Sequence, residues 1–304
     1  MSSIKGKDFI STVGMERRQI EEVLSASEKM DSVFRKKEHL TELKGKVMAS
    51  LFYEPSTRTQ FSFTTAMRKL GGEILGFSDP KTSSHSKGET LHDTIKAMEP
   101  QVDCFVMRHP NEGSAALAAA TADVPVINAG DGNNQHPTQA MLDLYTIKKE
   151  KKKIDGLTVL MLGDLKYGRT VHSLSYALSK FEDVKLQYYS PQQLRFPSFM
   201  LNDLREQSKV EELTSLDFSK ADVIYATRIQ KERIEDPEEY KKAAYVIDAE
   251  MMKSAKPDAM LMHPLPRVDE IATEVDSDKR AKYFEQEANG IPTRMAILSL
   301  ILNG

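Results

Sequence analysis

A single cysteine, Cys104, occurs in the 304 residues. No disulfide can therefore form within the chain, and a reducing, cytoplasmic setting is expected. Cys104 lies in the strand-like run VDCFVMR, which suits a buried, inert thiol better than a nucleophile. No apolar run approaches the ~20 residues of a membrane-spanning helix, so no membrane partner is expected. The opening MSSIKGKDFIST has no apolar core of the kind a signal peptide needs. Excess charge of either sign is missing too. The net charge is −3, which gives no general reason to bind nucleic acid and makes any basic site a local one. Metal-ligand spacing is lacking: there is no H-E-x-x-H, no cysteine set, and His85 and His92 are too far apart for one helical face. Nor is there a G-x-x-x-x-G-K-[ST] or a G-x-G-x-x-G phosphate loop. No long-range repeat is present. The one low-complexity tract, KKEKKK at 148–153, reads as a solvated helix end and a candidate domain junction.

What is present is a long alternation of strand and helix patterns. The length fits two domains of ordinary size, and 40% hydrophobic with 29% charged residues fits a globular chain. After a helix over Arg17–Met30, KVMASLFYE (46–54) reads as a buried strand. A helix from Ser56 to about Leu70 follows, stopped by Gly71-Gly72. EILGF, VDCFVMR and VPVINAG read as further strands. Between them lie a helix carrying Leu91, Ile95 and Met98 on one face and a short helix in GSAALAAATA. HPTQAMLDLYTIKK reads as a helix with Pro137 in its first turn. The alternation restarts at LTVLMLGD (157–164). It runs through a helix at 168–181, the strand VKLQYY, a helix near 198–208, the strands DVIYATR, AYVID and AMLMH, and a closing pair of helices. Repeated βαβ patterns imply an α/β fold of two similar domains. Each would be a parallel sheet flanked by helices, with a cleft between the two. The apolar last helix, IPTRMAILSLILNG, must be buried, and the first domain is the candidate surface.

In open parallel sheets, ligands bind beyond the carboxyl ends of the strands. The polar residues of interest collect there: STRT, Arg108-His109-Pro110, GDGNNQHPTQ, GDLKYGRT, TRIQKER and HPLPR. Arg58 poses a question, because a cation at a helix start is unfavourable by about 0.3–1 kcal/mol. An anion reverses that. Ser56 can cap the helix, while the remaining N–H groups, Thr57, Thr59 and the Arg58 fork donate to a phosphate. The same four residues also suit an ordinary N-cap with a surface arginine. Arg108, at the tip of an apolar strand, needs a partner, either a phosphate oxygen or a nearby glutamate. His136 and Gln139 can both face out from one helical turn, as donors to a carbonyl oxygen that gains charge in acyl transfer. A capping role is the alternative.

Seven segments, taken in order, resemble one family. FYEPSTRTQFSF, SKGETLHDTI, VMRHPNEG, NAGDGNNQHPTQAMLDLYTI, GDLKYGRTVHSL, TRIQKER and HPLPRVDEIATEVD are similar to the signature segments of aspartate carbamoyltransferase catalytic chains. The resemblance spans nearly the whole sequence. It implies transfer of the carbamoyl group of carbamoyl phosphate to L-aspartate, the committed step of pyrimidine biosynthesis, with no cofactor and no metal. The domains implied are 1–136 with the C-terminal helix 289–304 for carbamoyl phosphate, and 137–288 for aspartate. The active site is expected in the cleft and at the subunit interface of a homotrimer.

By the same resemblance, Ser56, Thr57, Arg58, Thr59 and Arg108 hold the phosphate. His136 and Arg58 polarise the carbonyl, and Gln139 contacts the carbamoyl group. The backbone carbonyls of Leu265 and Pro266 accept from its NH2. Arg169, Arg228 and Gln230 hold the aspartate carboxylates. Ser83 and Lys87 reach in from a neighbouring subunit, Lys87 serving catalysis and aspartate binding. Ser86 stands where some relatives carry a second lysine. Glu54, Arg169, Arg233 and Glu239 are candidates for ion pairs of a closed form. Part of the family adds zinc-bearing regulatory chains, a pairing the sequence leaves open. Ornithine carbamoyltransferases share the first domain, but they typically carry HCLP where this chain has His263-Pro264-Leu265-Pro266, and a TRIQ arginine repels ornithine's cation. A non-catalytic homologue is the remaining alternative, against which every expected catalytic position is filled.

Overall fold

A computed structural model describes residues 2–79, 87–230 and 245–304. Two compact units divide the chain, residues 1–145 with 289–304, and residues 146–288. The sequence placed the first break at 136/137; the units divide after Tyr145, inside a helix.

Unit 1 opens with α1 (Arg17–Arg35). It continues through β1 (Val47–Phe52), α2 (Thr57–Lys69), β2 (Glu73–Phe77) and α3 (Leu91–Met98). Next come β3 (Cys104–His109), α4 (Ser114–Thr121), β4 (Val126–Asp131) and the start of α5 (Pro137–Lys151). Its four strands are parallel in the order β2-β1-β3-β4. Alternate residues of β1 and β3 point to opposite faces. Ala49, Leu51, Phe105 and Met107 pack with Ile95, Ala115 and Ala118 on one face. Met48, Phe52, Cys104 and Val106, on the other, are also buried. A sheet buried on both faces explains why these strands read as continuous apolar runs. Burial pushes the Cys104 thiol up to about 12, with the Asp103 charge adding to it, in line with an inert group.

Unit 2 holds β5 (Thr158–Leu162), α6 (Arg169–Leu178), β6 (Lys185–Tyr189), α7 (Ser198–Gln207) and β7 (Lys209–Glu212). β8 (Val223–Ala226), α8 (Ala249–Lys253) and β9 (Met260–Met262) follow, and then α9 (Tyr283–Leu302) begins. The sheet is again parallel, in the order β7-β6-β5-β8-β9.

Three expectations need correction. The described part of AYVID, residues 245–248, forms no ladder strand; Ile247 makes a single bridge to Ile271, because its backbone pairs with the loop at Glu270 and Ala272 rather than with a sheet edge. β7 was missed, since the polar KVEE is an edge strand with no buried residue and so lacks the apolar alternation that marks half-buried strands. The closing pair of helices is one helix of 20 residues with Pro292 inside it, although proline more often opens a helix. Its part from Asn289 onward belongs to unit 1, where Met295, Ala296, Ile297, Leu298 and Ile301 are buried. Among the described residues no helix is long and apolar enough to cross a membrane.

Candidate active site

Each sheet has a point where the chain reverses its direction of build. In unit 1 it lies between β1 and β3, and in unit 2 between β5 and β8. Loops leaving neighbouring strands part there and open a crevice at the carboxyl ends. The STRT segment follows β1 and Arg108 lies at the end of β3; Arg169 and the TRIQ segment follow β5 and β8. These residues thus fall at the switch point of each unit, whereas His136 and Gln139 come after β4 and Leu265 and Pro266 after β9.

α2 begins without a cap. Ser56 has φ −159° and ψ 83°, and its side chain makes no capping hydrogen bond, contrary to the sequence expectation. That ψ lies well below the extended value of the usual N-cap pose. Only its carbonyl engages the helix, accepting from Gln60 N–H. No acidic residue occupies the first turn. Thr59 is buried, Ser56 half-buried, and Thr57 and Arg58 are exposed. Uncapped N–H groups, hydroxyls and a guanidinium at one helix start form an anion cradle. α6 likewise has an arginine, Arg169, in a first turn without an acid, although the Arg169 and Val171 N–H groups donate to the Tyr167 and Gly168 carbonyls.

Arg108 takes the glutamate partner. Its Nε lies 3.1 Å from Glu54 Oε2, with 14% of the arginine side chain exposed. Its Nη1 donates to the Ala129 carbonyl at 3.5 Å. The guanidinium is thereby held at the tip of β3, one strand from the STRT helix. Glu54, expected in a closed-form ion pair, makes this pair within unit 1.

The loop after β4 is organised by Asp131, which sequence reasoning missed. Asp131 is 2% exposed. Its Oδ1 accepts from Asn128 Nδ2 at 2.7 Å and from Gln135 N–H at 3.1 Å. Its Oδ2 accepts from Gly113 N–H at 2.9 Å and from Asn134 Nδ2 at 3.0 Å. Gly132 sits in this loop at φ 53°, where a Cβ would come within 2.8 Å of the Glu112 nitrogen, so only glycine fits. The loop delivers His136 to the start of α5. His136 is 3% and Gln139 6% exposed, more enclosed than outward-facing donors. Thr138 Oγ1 lies 3.4 Å from His136 Nδ1.

Both expected glutamine donors direct an amide N–H at a buried carboxylate. Gln139 Nε2 donates to Asp143 at 2.9 Å, and Gln230 Nε2 donates to Asp164 at 3.3 Å. Each amide retains a second N–H and its carbonyl. Asp164 also accepts from Tyr167 N–H at 2.9 Å, and the Asp164 N–H donates to Thr227 Oγ1 at 3.0 Å. Burial raises the Asp164 carboxyl despite these donors. These bonds tie the loop after β5 to the loop after β8. Gly163, at φ 109°, makes room for them, since a Cβ there would lie 2.3 Å from the Thr227 carbonyl oxygen. Arg169, Arg228 and Gln230 are each half-buried.

In HPLP, Leu265 and Pro266 are joined by a cis peptide and Leu265 has φ 49°. Lys87 is exposed; Ser83, Arg233 and Glu239 lie outside the described residues.

Two family models match in succession. Residues 7–149 match the carbamoyl-P binding domain of aspartate/ornithine carbamoyltransferase, and residues 155–301 match the Asp/Orn binding domain. The chain belongs to the aspartate/ornithine carbamoyltransferase family. Within that family it is 53% identical, over 98% of its length and 97% of the relative's, to the aspartate carbamoyltransferase catalytic subunit of Thermococcus kodakarensis. It is 50% identical to that of Methanocaldococcus jannaschii, over 97% of this chain and 98% of the other. Among solved structures, it is similar to the Trypanosoma cruzi aspartate transcarbamoylase in complex with carbamoyl phosphate and aspartate. That match has TM-score 0.93 and 39% identity, over 99% of this chain and 98% of the other. The M. jannaschii catalytic subunit superimposes with TM-score 0.89 at 50% identity, over 97% of each chain. The family models cover both aspartate and ornithine enzymes, whereas these relatives and structures are aspartate enzymes.

Proposed function

We propose that this chain is the catalyst of carbamoyl transfer from carbamoyl phosphate to the amino group of L-aspartate, giving N-carbamoyl-L-aspartate and phosphate. The observation that carries the reading is its likeness, over 99% of its length, to an aspartate transcarbamoylase solved with both substrates. The acid-free arginine starts of α2 and α6 support it chemically. One suits a phosphate, the other a carboxylate.

In the proposed roles, Ser56, Thr57, Arg58, Thr59 and Arg108 hold the phosphate. Arg58, Thr59 and His136 meet the charge on the carbonyl oxygen, and Gln139 contacts the carbamoyl group. The backbone carbonyls of Leu265 and Pro266 accept from the carbamoyl NH2. Arg169, Arg228 and Gln230 hold the two carboxylates of aspartate. The neutral amine attacks the carbonyl carbon. A C–N bond forms, the C–O bond to phosphate breaks, and the departing phosphate takes the amine proton. Positioning and fixed charge supply most of the acceleration, and the balance calls for no cofactor.

The proposed assembly is a homotrimer in which Ser83 and Lys87 of one chain complete the next chain's site. The lone, buried Cys104 supports a cytoplasmic setting. The relatives are named catalytic subunits, which supports a larger assembly for this chain too; co-purification with a native mass measurement tests for zinc-bearing partner chains. The function itself is tested by a carbamoyl-transfer assay with aspartate and ornithine side by side. Turnover with aspartate alone is expected. Turnover with ornithine, or none with either, refutes the proposal.

A further inference from the structure

His263 and Glu270 flank the HPLP loop and are among the most enclosed polar side chains of unit 2, 1% and 3% exposed. His263 Nδ1 accepts from the Leu265 N–H at 2.8 Å. The ring proton therefore belongs on Nε2, which lies 2.7 Å from Glu270 Oε1. The other oxygen, Oε2, accepts from Val268 N–H at 3.1 Å and Asp269 N–H at 3.2 Å. The His263 N–H donates to Gln286 Oε1 at 2.9 Å. Burial acts to raise the Glu270 carboxyl, but the hydrogen bond and charge of His263, with the backbone N–H groups of Glu270 and Val268, hold it below its ordinary range.

A buried carboxylate costs free energy unless donors surround it, and an apolar pair of similar size would fill this space without that cost. What the polar pair adds is a fixed tautomer. Glu270 keeps the proton on Nε2, which leaves Nδ1 free to hold the Leu265 amide. Leu265 is a non-glycine residue at φ 49°, a left-handed conformation that surroundings must enforce. Setting that φ sets the direction of the Leu265 carbonyl and of the turn into Pro266.

We propose that His263 and Glu270 are positioning residues: the carboxylate fixes the imidazole tautomer, and the imidazole holds the loop so that the Leu265 and Pro266 carbonyls accept from the carbamoyl NH2. The proposal rests on the reading of those two carbonyls given above. It makes the pair a determinant of amide recognition in the donor substrate, separate from phosphate binding.

Two stable phosphonates provide the probe: phosphonoacetamide, which carries the NH2, and acetonylphosphonate, with a methyl in its place. Equilibrium binding of both to the intact enzyme gives the amide preference. Two substitutions divide the imidazole's functions. H263Q retains a donor for Glu270 but has no acceptor where Nδ1 stands. H263N retains an acceptor near Nδ1 and loses the reach to Glu270. H263Q is expected to bind phosphonoacetamide about tenfold more weakly, the loss of roughly one or two hydrogen bonds, with acetonylphosphonate unchanged. H263N should restore most of the preference. E270Q, which can turn its own amide N–H toward Nε2 and so invert the tautomer, should behave as H263Q does and serves if that variant does not fold. Equal weakening of both phosphonates, an unchanged preference in H263Q and E270Q, or no difference between H263N and H263Q overturns the proposal. If the parent enzyme shows no amide preference, it is the acceptor role of Leu265 and Pro266 that fails.

Discussion

Arg58 and Arg228 carry the same charge in different settings, and their loss should be felt by different substrates. Arg58 is exposed at an uncapped helix start, so Arg58→Ala should leave the fold intact. Removing one donor to a developing oxyanion typically slows turnover by about 10²–10³, which a rate measurement at saturating carbamoyl phosphate reads directly. Near-parental turnover would remove Arg58 from the chemistry. Arg228 is half-buried beyond β8. Arg228→Ala should raise the KM for aspartate by about tenfold or more, the loss of a charge-assisted hydrogen bond. Equilibrium binding of carbamoyl phosphate should stay within a few-fold. A collapse of that binding would show that Arg228 has been given the wrong ligand. Arg58 was legible because a cation at a helix start is conspicuous, and Arg228 through the resemblance of its TRIQKER segment. Asp131, Asp143 and Asp164 were not. Their role depends on donors such as Gly113 N–H, Gln139 and Gln230, several of them on other loops that meet only after folding. The local hint was small: two of the three, Asp131 and Asp164, sit beside a glycine at the end of an apolar run.

The two central strands of the units are tied in the same way. Asp103, just before β3, accepts from Val47 N–H and Lys46 Nζ, both at 2.8 Å, while its own N–H donates to the Val47 carbonyl. Asp222, just before β8, accepts from Thr158 N–H at 2.8 Å and Lys256 Nζ at 2.6 Å, and its N–H donates to the Thr158 carbonyl. Each aspartate pins a central strand at the amino end, opposite the switch-point loops. Burial acts to raise the Asp103 carboxyl, but the Lys46 and Val47 donors outweigh it and hold the carboxyl below its ordinary range. Its stabilisation is then fully present above the unfolded-state pKa and is lost as pH falls through the folded one. Asp103→Ala should cost about 1–3 kcal/mol at neutral pH. In urea melts taken at falling pH, the gap to the parent should narrow below about pH 4; a constant gap would mean that the charge does not matter. The elements themselves were largely legible, because a strand covered on both faces is apolar throughout. β7 was not, since a polar edge strand leaves no apolar trace, and AYVID read as a strand although Ile247 makes only a single bridge.

At the scale of the whole molecule, the proposed shared site predicts complementation. Arg58→Ala and Lys87→Ala should each be nearly inactive. Unfolded and refolded together, they form mixed trimers in which one interface pairs an intact Arg58 with an intact Lys87. Counting interfaces in a cyclic trimer gives recovery of up to about one third of the parental rate. If verified mixed trimers stay as inactive as both parents, each site is built within a single chain. The domain pattern was legible because the strand and helix rhythm stops and restarts. The exact break was not, because α5 runs through it without a turn or a proline to mark it. The chain crosses between units twice, once within α5 and again within α9. Unit 2 is therefore one unbroken segment, whereas unit 1 needs residues 289–304 to be whole. Domains are generally expected to fold from the amino terminus as the ribosome delivers them. Here the segment that completes unit 1 follows all of unit 2 in the chain, so unit 1 lacks part of its buried surface until residues 289–304 have been made. A chain truncated after residue 288 would keep every residue of unit 2 and lose the buried Met295, Ala296, Ile297, Leu298 and Ile301 of unit 1.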